Sequence, residues 1–307
     1  MAKVLILGGS GFVGKSITRH LEHNKINYSS PKSKILNLKK FSKISEYLKK
    51  NKFSHIINCA GLVGGISKNI KYNINFFEEN LEINYNLIKA VKDSGVKNFI
   101  NLGTSCMYPI GYNTRMSENK LMTNYLEKTN FGYALAKLST SFYLKMLKNN
   151  SDINCVTVIP CNLYGPNDNF DQKSSHLVAA IIKKVVDAKI KNQKYIIGWG
   201  SGNVKREFMY VDDLSKLIIK LVESNKKYPE FLNVGYGKDF KVSEFYYRII
   251  NLIDKKIKIK WNKTKPEGIK RKIINSNLAK KLYNWKASTK LNIGLKETIN
   301  YYNTFEL

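Results

Sequence analysis

Acidic residues are scarce. Across 307 residues, 23 Asp and Glu stand against 52 Lys and Arg, a formal net charge of +29 at pH 7. Clustered positive charge is the footprint of phosphate binding, so nucleic acid has to be considered. Here the lysines run the whole length of the chain among asparagines, isoleucines and tyrosines, and no nucleic-acid motif accompanies them. The expectation is no nucleic-acid partner, but a field that attracts anionic ligands. Cysteine is sparse too: Cys59, Cys106, Cys155 and Cys161 have no C-x-x-C spacing, which argues against a disulfide framework and a zinc site. Nor do the four histidines, His20, His23, His55 and His176, pair with cysteines or carboxylates at ligand spacing, so no metal is expected. Long apolar runs are missing. No window approaches the roughly 18 consecutive apolar residues of a membrane span, and Val4-Leu5-Ile6-Leu7 runs into glycines rather than a cleavage site. A cytoplasmic protein with no membrane partner and no signal peptide is expected.

What is present is a rhythm. Short apolar runs at Lys3 to Leu7, Ile26 to Ser29, His55 to Cys59, Asn98 to Leu102 and Asn154 to Ile159 alternate with helical-period segments at Val13 to Asn24, Phe41 to Asn51, Phe76 to Ser94 and Tyr133 to Asn149. Gly95 stands where a helix stop belongs. Alternation of this kind predicts an α/β fold, a Rossmann-like doubly wound parallel sheet. After Pro160 the pattern loosens: Gly165-Pro166 marks a turn, Ser174 to Ala188 a helix, Ile196 to Gly202 a strand, and Asp212-Asp213 the first turn of another helix. The expected division is residues 1–165 as the sheet domain, with a later contribution from about 203–234, and residues 166–202 and 235–307 as a smaller α/β substrate lobe.

Gly8-Gly9-Ser10-Gly11-Phe12-Val13-Gly14 follows the first strand and opens the first helix. Glycines at this spacing let the backbone approach a pyrophosphate, and the helix start turns free N–H groups towards it, which predicts a dinucleotide site. An NAD site usually carries an acid near the end of the second strand. Tyr28-Ser29-Ser30-Pro31-Lys32-Ser33-Lys34 has none, and hydroxyls with Lys32 suit a 2′-phosphate, so NADP(H) is expected.

Tyr133-Ala134-Leu135-Ala136-Lys137 places Tyr and Lys at i and i+4 on one helix face. An ammonium there is expected to draw a phenol pKa down towards the working pH, as a proton donor to a carbonyl oxygen requires. Thr104-Ser105, after the fourth strand, supplies the hydroxyl companion. The ordered set is similar to the extended short-chain dehydrogenases. Within them the chain resembles the GDP-L-fucose synthase family nearly end to end, through Ala60 to Ile66, Asn101 to Pro109, Pro160 to Phe170, Trp199 to Gly202, Arg206 to Asp213 and Lys265 to Lys272.

The resemblance implies an NADP-dependent oxidoreductase that reduces C4 of a GDP-linked 4-keto-6-deoxy sugar, hexose or heptose, in deoxy-sugar biosynthesis. It assigns Tyr133 as proton donor to O4, Lys137 to the nicotinamide ribose, and Thr104, where the family has serine, as the hydroxyl. Cys106 and His176 match the pair that inverts C3 and C5, with His176 also placed to cap a helix and Ala179 standing where the family has proline. Cofactor contacts are implied for Gly8, Ser10, Gly11, Phe12, Val13, Gly14, Lys32, Ala60, Leu62, Tyr133, Lys137, Pro160, Asn162, Leu163 and His176. Substrate contacts are implied for Asn162, Lys184 (in place of arginine), Trp199, Arg206 and Lys265, and a homodimer for the helices near 76–94 and 133–149. An NAD-dependent nucleotide-sugar 4-epimerase, or a non-catalytic dinucleotide- or nucleic-acid-binding protein on the same fold, stays open beside it.

Overall fold

The structure is a computed structural model that describes residues 3–171, 174–265 and 267–307. Pro266, within the segment around Lys265, lies outside them. Six parallel strands form the main sheet: β1 (Val4–Leu7), β2 (Tyr28–Ser29), β3 (His55–Asn58), β4 (Asn98–Leu102), β5 (Asn154–Pro160) and, after β6 (Asn162–Tyr164), β7 (Tyr195–Trp199) and β8 (Lys205–Tyr210), β9 (Phe231–Val234). Their order is β2-β1-β3-β4-β5-β9. Helices α1 (Phe12–His23), α2 (Phe41–Asn51), α3 (Ile66–Lys71), α4 (Asn73–Lys92) and α5 (Phe131–Asn149) alternate with the strands from β1 to β5 and cover the sheet. Both faces are therefore buried, and β1 and β3 are apolar or polar-but-buried at every position. One core lies on each face: Ile6, Ile57, Ile100, Val156 and Leu232 on one, Leu5, Ile56, Phe99 and Cys155 with α2, α4 and α5 on the other.

The doubly wound expectation holds, with informative differences at the ends. β2 is two residues rather than four because only Tyr28 and Ser29 find partners, Val4 and Leu5. Helix α3 had no counterpart in the sequence pattern: Ile66 and Ile70 stay exposed, and its one buried residue, Asn69, donates to the Gly64 and Gly65 carbonyls. Among the described residues α6 (Leu177–Ile190) starts three residues later than expected, because the Ser174 and Ser175 N–H groups turn back onto the Asp171 carbonyl and His176 is extended. The strand expected to reach Gly202 stops at Trp199, where Gly200 turns the chain.

Two smaller sheets follow, one of four strands and one of two. β8 pairs with β6, β10 (Asp239–Lys241) and β12 (Arg271–Lys272), while β7 pairs with β11 (Lys258–Asn262). Helices α6, α8 (Val242–Ile253) and α10 (Leu291–Phe305) close a third core around Phe208, Phe245, Ile249 and Leu295. α7 (Val211–Val222) and α9 (Asn277–Tyr283) lie on the main sheet side.

Asp213 stitches the C-terminal segment to α7. It is 1% exposed and accepts hydrogen bonds from the backbone N–H and the hydroxyl of both Ser288 and Thr289. Removing the carboxylate strands these donors in a buried setting, where each charge-assisted bond is worth about 1.5–3 kcal/mol but is not additive. Asp213→Ala is expected to lower stability by about 3 kcal/mol, read as a lower urea midpoint at unchanged slope; a midpoint equal to wild type would show the bonds to be dispensable.

Candidate active site

The carbonyl-side ends of β1, β3, β4 and β5 open onto one crevice, where strand order reverses between β1 and β3. At its base Gly8 takes φ +77°, and a Cβ there would sit 2.8 Å from the Ala60 nitrogen. Gly11 N–H closes a turn onto the Gly8 carbonyl and Gly11 then caps α1 without a side chain, leaving the first-turn N–H groups of Phe12 and Val13 uncapped. Gly14 is buried against this loop: a Cβ would lie 2.2 Å from the Gly8 oxygen. A glycine cradle with free amides and a positive helix end fits a dinucleotide pyrophosphate. Ser10 is exposed at the rim, and Ala60 and Leu62 line the facing loop. Beyond β2, Lys32 is exposed and makes no ion pair among the described residues. A carboxylate does reach β2, but from α1: Glu22 accepts from the Tyr28 hydroxyl.

Thr104, Cys106, Tyr133 and Lys137 meet at the end of β4. Thr104 caps the short turn Ser105–Met107, its hydroxyl accepting from the Cys106 N–H at 3.2 Å. Lys137 is 4% exposed and donates from Nζ to the Leu102 carbonyl at 2.9 Å. Burial pushes its ammonium down to about 8, with Cys59 working the other way. The expectation for Tyr133 needs correction. Burial raises its pKa, Cys106 adds to the rise, and only the Thr104 side chain opposes it. Lys137 spends its charge on Leu102 rather than on the phenol, so Tyr133 is held as a neutral O–H, which is the form a proton donor needs. Its ring packs edge-on against Phe76 of α4 at 6.3 Å. Cys106 accepts from Asn130 Nδ2 at 3.2 Å.

Across the crevice, His176 is the N-cap of α6 without capping it through its side chain. Its Nδ1 lies 3.6 Å from Asp168 Oδ1 instead. Burial lowers its pKa, but the Asp168 carboxylate outweighs burial and the net direction is up. No hydrogen bond or ion pair joins His176 to Cys106 or Tyr133 among the described residues. Pro160 ends β5 in the core, and Asn162 and Leu163 lie in register with Phe208 and Met209 of β8, Asn162 Nδ2 donating to the Glu207 carbonyl at 2.8 Å.

The remaining candidates gather on the smaller lobe. Lys184 and Lys265 place their ammonium groups 5.5 and 5.6 Å from the ring centre of Trp199, which is 43% exposed. Lys184 also donates to the Ile197 carbonyl, and burial lowers its pKa. Arg206 is committed to backbone, donating to the carbonyls of Lys205, Glu267 and Ile269.

Two features escaped sequence reasoning. Asn58 and Asn101 face each other in register on β3 and β4. Asn58 Nδ2 donates to Asn101 and to Asn84, Asn84 donates to the Asn80 carbonyl, and Asn80 holds both the N–H and the carbonyl of Leu62. All four amides are at most 1% exposed. The available signal was an amide at matching positions of two apolar strands, together with the i, i+4 spacing of Asn80 and Asn84. The other is Glu207, buried on β8, which accepts from the Gly237 and Ile274 N–H groups and is pushed up to about 7 by burial. All four cysteines are free thiols, and among the described residues no group of three His, Cys, Asp or Glu is arranged to hold a metal and no helix is long and apolar enough to cross a membrane.

A profile of the NAD dependent epimerase/dehydratase family matches residues 4–235, and the chain belongs to that family. Within it, the chain is 37% identical to GDP-L-colitose synthase of Yersinia pseudotuberculosis, over 98% of this chain and 97% of that one. It is 34% identical to GDP-L-fucose synthase of Azorhizobium caulinodans, over 98% and 96%. The fold matches a crystal structure of a GDP-6-OMe-4-keto-L-xylo-heptose reductase from C. jejuni with a TM-score of 0.90 at 22% identity, covering 99% of this chain and 98% of that one.

Gly14→Val is expected to push the Gly8-Gly9 backbone out of its turn, because the added Cβ would meet it at 2.2 and 2.5 Å, and so to weaken dinucleotide binding by at least about tenfold. A fluorescence titration giving the wild-type dissociation constant would show that the pyrophosphate does not sit on this loop.

Proposed function

We propose that this enzyme is an NADPH-dependent reductase of the C4 carbonyl of a GDP-linked 4-keto-6-deoxy sugar, and that it also inverts C3 or C5. The observation that carries it is the convergence of Thr104, Tyr133 and Lys137 at the end of β4, on the crevice whose other wall is the glycine cradle. The full-length likeness to GDP-L-colitose and GDP-L-fucose synthases supports the GDP-sugar class. Absence of an acid at the end of β2, with Glu22 occupied by Tyr28, supports NADP(H) over NAD.

When bound, the reduced nicotinamide supplies the hydride for C4. The chain's own residues do the rest. Tyr133, neutral through burial, donates its proton to O4 as negative charge gathers there, and Thr104 hydrogen-bonds the same oxygen. Lys137, anchored on Leu102, is placed to hold the nicotinamide ribose, and the Thr104 side chain favours the phenolate left behind. Asn80 fixes the Leu62 backbone that faces the cofactor. On the smaller lobe, Trp199 offers a flat face and Lys184 and Lys265 offer point charges to the diphosphate. Arg206, tied to three carbonyls, shapes this wall and keeps its remaining N–H groups for substrate. The enzyme works in the cytoplasm as a homodimer; Tyr85 of α4, half-exposed beside Tyr143 of α5 over an apolar groove of about 340 Å³, supports a helix-to-helix contact there.

Incubation with a synthetic GDP-4-keto-6-deoxy sugar is expected to consume NADPH faster than NADH, and Tyr133→Phe is expected to lose turnover by about 100-fold or more. Equal use of NADH, or turnover retained in Tyr133→Phe, would reject the assignment.

Epimerisation requires removing a proton beside C4 and returning one to the opposite face, with the C4 carbonyl holding the enolate charge meanwhile. Cys106 is suited to the first task and His176 to the second. Solvent deuterium is expected at C3 or C5 of the product, and Cys106→Ser is expected to abolish it while C4 reduction persists. Product free of deuterium from the wild type would leave a reductase alone.

A further inference from the structure

We propose that Asp168 is the positioning residue for His176: its carboxylate holds Nδ1 and keeps the imidazole charged, so that Nε2–H is the proton donor to the sugar. This rests on the epimerase part of the function proposed above. The geometry is that of a buried acid with one oxygen committed and one free. Asp168 has a side chain 2% exposed; Oδ1 accepts from the Asn169 N–H at 2.7 Å and lies 3.6 Å from His176 Nδ1, and among the described residues the buried Oδ2 has no hydrogen-bond partner. A carboxylate oxygen shut away from water and unpaired is costly, and it persists where a neighbouring charge or a bound state compensates it. The imidazole is the cation at hand. At 3.6 Å the pair is an ion pair rather than a tight hydrogen bond, and such contacts in ligand-free sites commonly shorten when substrate closes the pocket.

The carboxylate is itself held. Gly165 O accepts from the Asp168 N–H, and the preceding residue, Asn167, sits at φ +65° with its Oδ1 accepting from Lys15 Nζ and the Tyr301 hydroxyl, both at 3.1 Å. The loop is thereby pinned to the first turn of α1 and to α10. From the other side the Gly65 N–H donates to the Ser174 carbonyl, bringing the loop after β3 against the strand of chain that carries His176. Among the described residues, Asp171 accepts from the Ser174 hydroxyl, Lys183 of α6 pairs with Asp187, and the stem of Lys68 of α3 lies beside Gly64. Asp168 is the one carboxylate paired with the imidazole among the described residues.

The proton step balances without a further reagent. Once a base has taken the proton beside C4, the enolate electron pair returns to form the new C–H bond with the Nε2 proton of His176, the C4 carbonyl re-forms, and His176 is left neutral with Nδ1–H still directed at Asp168. Because the charged imidazole is the donor, the activity is present below the His176 pKa and is lost as pH rises through it. A carboxylate neighbour moves that loss to higher pH.

Two readouts on the full-length enzyme test this. In ligand-free protein, an NMR titration of the His176 ring, assigned by its absence in His176→Gln, is expected to show protonation persisting above the ordinary imidazole range and moving to lower pH in Asp168→Asn. In turnover with NADPH and a GDP-4-keto-6-deoxy sugar, Asp168→Asn is expected to lose solvent-deuterium incorporation about tenfold more than it loses C4 reduction, with the alkaline decline of incorporation starting at lower pH. Asp168→Glu is expected to restore part of both. A wild-type ring that titrates below the ordinary range, or one unmoved in Asp168→Asn, overturns the pairing. A moved titration with unchanged incorporation overturns the positioning role. Wild-type product free of deuterium overturns the epimerase reading and the donor role with it, the titration then reporting on the pairing alone.

Discussion

A buried ammonium must find an oxygen, and Lys137 finds the Leu102 carbonyl. That single bond organises the site. It fixes the roll of α5, and hence places Tyr133 one turn earlier against Thr104 and Phe76. The acceptor is the last residue of β4, Leu102. The bond also removes Lys137 from direct service to the phenol. The two functions often assumed for such a lysine, lowering the tyrosine and holding the cofactor ribose, are therefore separated in this ligand-free state: burial, with Cys106 beside it, sets the tyrosine as acid, and Lys137 waits with its proton held loosely, down near 8.

The asparagine seam is the counterpart of that bond on the β3 side. A parallel sheet buried on both faces has little tolerance for amides, which lose about 1–3 kcal/mol each when left unpaired. Asn58, Asn84 and Asn101 satisfy one another, leaving only Asn101 Nδ2 without a partner among the buried amide nitrogens of the four. The chain of bonds ends on the Leu62 backbone. A polar seam of this kind ranks low as a source of stability and high as a source of register, because it makes sense in one alignment of β3, β4 and α4 alone.

Much of this was legible in the residues themselves. Gly8 to Gly14 and the Tyr133/Lys137 spacing carry their geometry locally: a turn into a helix start, and two side chains one turn apart. Local signals survive translation into structure. What stayed hidden depends on register or on which groups share a burial. Asn58 and Asn101 are 43 residues apart and become a pair only when β3 and β4 align. The direction of the Tyr133 shift was misjudged from spacing because i, i+4 neighbours share a face but not necessarily a bond; the competing acceptor, Leu102, lies on another element. Helix α3 was unreadable for the opposite reason, since its apolar residues face outward and its buried one is an asparagine.

The lysine excess finds a local meaning on the smaller lobe. Spread over a whole surface, positive charge steers anions without selecting among them. At Trp199 it becomes specific, because two ammonium groups approach one indole while one of them, Lys184, is partly desolvated and has its charged form disfavoured by burial. The ring's negative face compensates such a pair only in part, by about 1 kcal/mol per cation at exposed sites. The arrangement is thus under electrostatic tension that an anion relieves, and relief of tension present only in the free protein is a source of binding energy. An arginine at 184 would offer the anion a planar fork; a lysine offers a movable point charge on a flexible stem. On the function proposed above, the lobe would recognise charge at Trp199 more than shape, and discrimination among sugars would fall to the wall where Thr104, Cys106 and Tyr133 sit on a strand end that Lys137 and the asparagine seam hold in place.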